Sequence, residues 1–164
     1  MMRGLNERRL AERKRTRIPL AVAGEMDGRD VEMSALSIDL STTGVGFMST
    51  DMLPVGSQLT FELKLPSAEE PLRVQGVVSR SFRHEKSDGY FHGATFSAAS
   101  EEHGQQLQDY LDKIDVRRML LKAIDQGATD LHLIAGEPPV IRLKGELVAL
   151  NEEPLDSLIL EQLV

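Results

Sequence analysis

The chain has 164 residues, 41% of them hydrophobic, and a formal net charge of −7, which suffices for one ordinary core with a fragment left over but crowds two complete domains. Cysteine is absent, so disulfide scaffolds, thiolate zinc sites and cysteine nucleophiles are excluded. No run approaches the roughly 18 apolar residues of a membrane span, and the amino terminus lacks the apolar centre of a signal peptide, so the expectation is a soluble, cytoplasmic protein.

In chain order, residues 1–17 form a basic arm. Seven cations (Arg3, Arg8, Arg9, Arg13, Lys14, Arg15, Arg17) face only Glu7 and Glu12, giving +5 there and leaving −12 for the rest. An acidic body repels a long phosphate backbone, so nucleic acid is not an expected partner, whereas a small anion held by the arm suits this asymmetry.

From residue 18 to about 96 the sequence alternates, or is β-branched, in short runs. Ile18 to Ala23, Val31 to Ile38, Val45 to Ser49, Gln58 to Leu65, Leu72 to Arg83 and Tyr90 to Phe96 are predicted strands. Turn residues separate them at Gly24 to Gly28, Asp51 to Gly56, Pro66 to Pro71 and Glu85 to Gly89. The pattern predicts a mainly β fold, a six-stranded antiparallel barrel. Ser100 then caps a helix whose apolar positions are Leu107, Tyr110, Leu111 and Ile114. Asp115 caps a second, with Val116, Met119, Leu120, Ala123 and Ile124 on one face and Gly127 at its end. Strands follow at 130–133 and 140–143, and a third helical pattern opens at Pro154 with Leu155, Leu158, Ile159 and Leu163 apolar. The expected domains are the arm (1–17), the barrel with its closing helix (18–112) and a partial α+β segment (113–164).

Two stretches carry chemistry: Arg13-Lys14-Arg15-Thr16-Arg17 and Asp39-Leu40-Ser41-Thr42-Thr43-Gly44-Val45-Gly46. Together they resemble the RxxxR and [D/N]xSxxG signatures of the PilZ domain, whose members read the second messenger cyclic di-GMP. Ile18-Pro19 after the second arginine, and His92-Gly93-Ala94-Thr95-Phe96 leading into a helix, extend the resemblance over about residues 8 to 112. Each motif has a bland reading when alone. RxxxR recurs at Arg9–Arg13, and Asp-x-Ser-x-x-Gly commonly marks an Asx turn. Their pairing at this separation gives them meaning.

The resemblance implies a ligand site at Arg13, Arg17, Asp39, Ser41 and Gly44, with Arg9, Arg15 and Gly46 as secondary candidates. The residue types suit the ligand. A guanidinium fork matches the O6/N7 edge of guanine or a phosphodiester. Asp39 can accept from guanine N1–H and the N2 amino group or hold an arginine in register, and Ser41 can donate to a phosphate oxygen. Gly44 is expected to supply a positive φ and close ligand approach, while Arg15 or Arg9 can stack on a base. Two charge-assisted contacts of about 1.5 to 3 kcal/mol each about balance the ordering of a five-residue arm at about 1 to 2 kcal/mol per residue.

The run Gln126-Gly127-Ala128-Thr129-Asp130-Leu131-His132-Leu133, with Gly136-Glu137-Pro138-Pro139-Val140-Ile141-Arg142 and Gly145, resembles the start of the amino-terminal domain of PilT-type pilus retraction ATPases. A phosphate loop of the form G-x-x-x-x-G-K-[ST] is missing, which implies part of a longer fusion or a relic of one. His84, His92, His103 and His132 lack metal-site spacing, Gly44-Val45-Gly46 is no dinucleotide fingerprint, and no nucleophile elbow occurs. The expectation is therefore a non-enzymatic cyclic di-GMP receptor, without cofactor or metal, connected with pilus motor ATPase subunits. Its rival is a nucleotide-independent adaptor that binds a pilus motor protein.

Overall fold

A two-residue turn organises the first hairpin. Asp27 and Gly28 both take positive φ, 52° and 71°, the left-handed pair that matches the twist of two antiparallel strands. It joins β2 (Pro19–Met26) to β3 (Arg29–Ser41), before which β1 (Lys14–Arg15) forms a short extra strand. Next come β4 (Gly44–Ser49), β5 (Gln58–Leu63), β6 (Leu72–Arg83) and β7 (Tyr90–Ala98). The computed structural model describes residues 12–66, 68–150, 152, 154–155 and 157–163.

All pairings in this sheet are antiparallel. The order runs β3-β2-β5-β6-β7-β4, and β4 returns to β3, closing a six-stranded barrel with β1 added outside β3. Closure removes the open edges that a flat sheet would carry. The six expected strands are all present. The barrel interior holds Leu20, Val22, Leu40, Val45, Phe47, Phe61, Leu63, Val74, Val78 and Ala94, all buried. Phe61 meets Phe47 and Phe96 edge to face, at 5.7 and 6.3 Å between ring centres.

The chain divides into two compact units at Gln108/Asp109, with α1 (Glu101–Lys113) running through the division. Ser100 Oγ accepts the His103 N–H at 3.2 Å, and Glu101 and Glu102 lie in the first turn, where they complement the helix dipole.

In the second unit Asp115 Oδ1 accepts the Arg118 N–H at 3.2 Å and caps α2 (Val116–Asp125), which ends near Gly127 at φ 76°. Strands β8 (Asp130–His132), β9 (Val140–Leu143) and β10 (Glu146–Ala149) form an antiparallel sheet in the order β10-β9-β8. Ala123, Ile141 and Leu150 make its small core, packed by Ala128, Leu131 and Leu143. The apolar face expected on α2 is narrower than its spacing implies: Met119 and Ala123 are buried, whereas Leu120 and Ile124 stand exposed with Leu121. Helix α3 (Ser157–Leu163) begins after Pro154. Leu155 is tied down first, accepting from Gly136 N–H at 2.7 Å and donating to Glu137 O at 3.0 Å. The side chain of Leu158 lies outside the described residues.

Candidate functional site

The basic segment is bound to the barrel by its backbone. Thr16 N–H donates to Ile38 O and Ser37 N–H to Ile18 O, both at 3.0 Å. Ile18 N–H donates to Ser37 Oγ at 2.9 Å, and the Ser37 and Thr16 hydroxyls lie 2.6 Å apart. Thr16 and Ile18 are buried, while Arg13, Arg15 and Arg17 are exposed. The alternation of an extended chain thus sends three guanidinium groups outward from one segment. Arg9 lies outside the described residues.

Strand β3 carries a bulge between Ser37 and Asp39. Burial favours odd positions from Val31 to Ser37, then moves to Leu40. One extra residue re-phases a strand by one side, so Leu40 enters the core and Asp39 faces outward. The extra residue is also useful in itself, because the Ile38 carbonyl is the acceptor for Thr16. Register then sets Arg15 opposite Asp39, and Arg13 Nη1 donates to Asp39 Oδ1 at 2.5 Å. Both side chains are partly exposed, so this pair is worth at most about 1 kcal/mol to stability. Its importance is positional: it joins the two motifs.

The second motif is the β3–β4 turn, with Ser41 opposite Gly44 across Thr42 and Thr43. Ser41 is 0% exposed. Its Oγ accepts the Thr43 N–H and lies near Thr43 Oγ1, both at 3.2 Å, and donates to Gly44 O at 3.4 Å. The hydroxyl expected to meet a phosphate therefore holds the turn in this structure.

Gly44 departs from the conformation expected of it, since it is not among the residues at positive φ. Space is what requires glycine. A Cβ there would collide with the Ala94 carbonyl oxygen and stand 3.2 Å from Arg13 Nη2. A Cβ at Gly46 would stand 2.8 Å from Asp39 Oδ1. Arg13 and Asp39 thus lie over two glycines of one strand.

Sequence reading missed how far this surface runs. Asp39 pairs with Gly46, Gly46 with Gly93, and Gly93 with Arg80, a row across β3, β4, β7 and β6 whose middle has no side chains. Arg80 lies down on Gly93, where a Cβ would stand 2.5 Å from its Nε. Its Cζ is 5.2 Å from the centre of the Phe91 ring, and Phe91 stacks on Phe82 at 4.9 Å. Gly93 was the available signal, although its strand partner lies far away in sequence.

Just inside this row sits His92, fully buried. Its Nε2 is 2.9 Å from Ser49 Oγ and 3.2 Å from Asp51 O, and Nδ1 has no partner among the described residues. Burial lowers its pKa from 6.5, against a smaller raising effect of the Asp51 carbonyl.

The sequence model of the PilZ domain matches residues 7–113. The chain belongs to the PilZ domain family. Its PilZ barrel is similar to that of the inhibitor of motility MotI/DgrA from Bacillus subtilis, with TM-score 0.56 and 24% identity, over 71% of this chain and 53% of that one. It is also similar to YcgR from Escherichia coli, solved in complex with c-di-GMP, with TM-score 0.54 and 16% identity, over 73% of this chain and 50% of that one. Likeness at such identity concerns the fold. Over 43 residues the chain is 44% identical to the type IV pilus retraction ATPase PilT of Pseudomonas aeruginosa, 26% of this chain and 12% of PilT. The chain thus spans about half the length of these solved relatives and a small part of PilT. No described helix is long and apolar enough to cross a membrane.

Proposed function

We propose that this PilZ-domain chain is a cytoplasmic receptor for cyclic di-GMP that binds at Arg13, Arg17, Asp39 and Gly44, with Arg15 and Gly46 beside them. The observation that carries the reading is the contact between Arg13 and Asp39 above Gly44 and Gly46. Guanidinium forks, an outward carboxylate and bare backbone meet there, the set that a guanine edge and a phosphodiester require. The presence of YcgR with c-di-GMP among similar folds supports it. Ser41 contributes by holding the turn.

Docking of residues 14–18 also changes the energetic expectation. Ordering a free arm would cost about 1 to 2 kcal/mol per residue at the moment of binding. Hydrogen bonds to β3 shift that cost to folding, so Arg13 and Arg17 contribute net affinity. Isothermal titration of cyclic di-GMP is the test. Arg13→Ala and Arg17→Ala should each weaken binding at least about tenfold, as loss of a charge-assisted hydrogen bond implies; unchanged affinity in both overturns the site.

The local identity with PilT supports a role in regulating a pilus motor, with the PilZ domain as sensor and no catalysis by this chain. It equally favours an adaptor that engages the motor without nucleotide. Cyclic di-GMP raises the melting temperature of a receptor and leaves that of such an adaptor unchanged.

A further inference from the structure

We propose that Ser81 and His92 form a buried site for one water molecule inside the barrel, and that this water completes a clasp by which the His92 ring fastens the β4–β5 loop, residues 50–57, through the carbonyl of Asp51. The site lies within the barrel, apart from the outward face that carries Arg13 and Asp39.

The hydrogen bonds of the ring fix its tautomer. Asp51 O, 3.2 Å from His92 Nε2, is a carbonyl and can only accept. Ser49 Oγ donates to that same carbonyl at 2.6 Å, which uses its proton, so toward Nε2, 2.9 Å away, it can only accept. Both neighbours accept, and Nε2 therefore carries the proton. A neutral imidazole has one N–H, so Nδ1 is a bare acceptor. Burial disfavours the charged ring that would hold a proton on both nitrogens.

Neither His92 Nδ1 nor Ser81 Oγ has a partner among the described residues, and both atoms are buried. Ser81 is the residue opposite His92 across β6 and β7, which sets their Cβ atoms about 5 Å apart. A hydroxyl with a proton to give thus stands beside a nitrogen that needs one, without bonding it directly. One water that accepts from Ser81 and donates to Nδ1 serves both, as buried waters do for polar groups inside folds. The rings of Phe47 and Tyr90, centred 5.2 and 6.4 Å from that of His92, flank it with apolar surface. Farther along the loop Leu53 is fully buried while Met52 and Val55 are exposed, and Gly56 N–H donates to Val78 O at 2.8 Å. The start of the loop is anchored at Asp51 by the clasp.

Nuclear magnetic resonance of the full chain, with its histidine nitrogens isotope-labelled and His92→Gln identifying the ring, is the test. At neutral pH the ring should carry its proton on Nε2, and a long-lived water should give a cross-peak to the ring Hε1. Ser81→Ala should abolish that cross-peak and speed exchange of the Nε2 proton with solvent about tenfold, while the amides of β2 exchange as in wild type. Ser81→Thr, which keeps the hydroxyl, should restore both. A proton on Nδ1 instead of Nε2 overturns the proposal, as does a wild type without the water cross-peak or a Ser81→Ala variant whose Nε2 proton exchanges at the wild-type rate. Equal acceleration of the β2 amides in Ser81→Ala shows that Ser81 acts on the whole fold, and the clasp is overturned.

Discussion

A methyl group at Gly44 would press on the Ala94 carbonyl, which belongs to the neighbouring strand and cannot swing aside. Gly44→Ala should cost about 1 to 3 kcal/mol, measured by urea denaturation. Gly46→Ala should behave differently, because the atom in its way is the carboxylate of Asp39. That side chain can rotate, so stability should change by less than about 1 kcal/mol, while cyclic di-GMP affinity falls as Asp39 leaves Arg13. His92 offers a pH signature. Burial keeps its ring neutral in the fold, whereas the unfolded chain takes up the proton near pH 6.5. As pH drops below about 6.5 the unfolded state gains protons that the folded state refuses, so stability should fall until the depressed folded value is reached. Denaturation midpoints between pH 7.5 and 5 should show this slope in wild type and a shallower one in His92→Gln.

At the scale of elements, β1 is decisive and was illegible. Its two residues are Lys14 and Arg15, with no apolar alternation to mark a strand, and only pairing with Leu40 and Asp39, just past the bulge on β3, makes the segment one. The bulge escapes notice for a related reason, since one inserted residue shifts burial from odd to even positions without changing composition. The six barrel strands were readable because each keeps its inward set apolar over several positions. Thr16→Val checks the docking of β1. Loss of a buried hydroxyl beside Ser37 should cost about 1 kcal/mol and weaken cyclic di-GMP binding, although Thr16 is turned away from the arginine face. The motif residues were readable as candidates, but the reasons for Ser41 and Gly44 lay in the packing of the turn. Strand β10 was missed because Leu147 and Val148 are adjacent rather than alternating, and both are exposed.

For the molecule as a whole, the two units differ in how fully they cover their apolar groups. The larger barrel unit leaves Leu36, Ile38, Met52, Val55 and Phe82 exposed, whereas the second unit, about half its length, leaves Leu120, Leu121, Ile124, Ile134, Leu147 and Val148 exposed. The double substitution Leu121→Lys, Ile124→Lys should leave cyclic di-GMP affinity unchanged and reduce concentration-dependent association, followed by sedimentation velocity. The row from Asp39 to Arg80 belongs to this scale too: four strands far apart in sequence compose it, so only barrel closure reveals it.

In the proposed receptor, the hydrogen bonds that fasten Thr16 and Ile18 to β3 would make sensing and folding share one reserve of free energy. A receptor with a loose leader could be tuned in sensitivity without touching its barrel. Here any change that frays the first strand, including warming, lifts the messenger concentration needed for half-occupancy, and threshold becomes a readout of local unfolding.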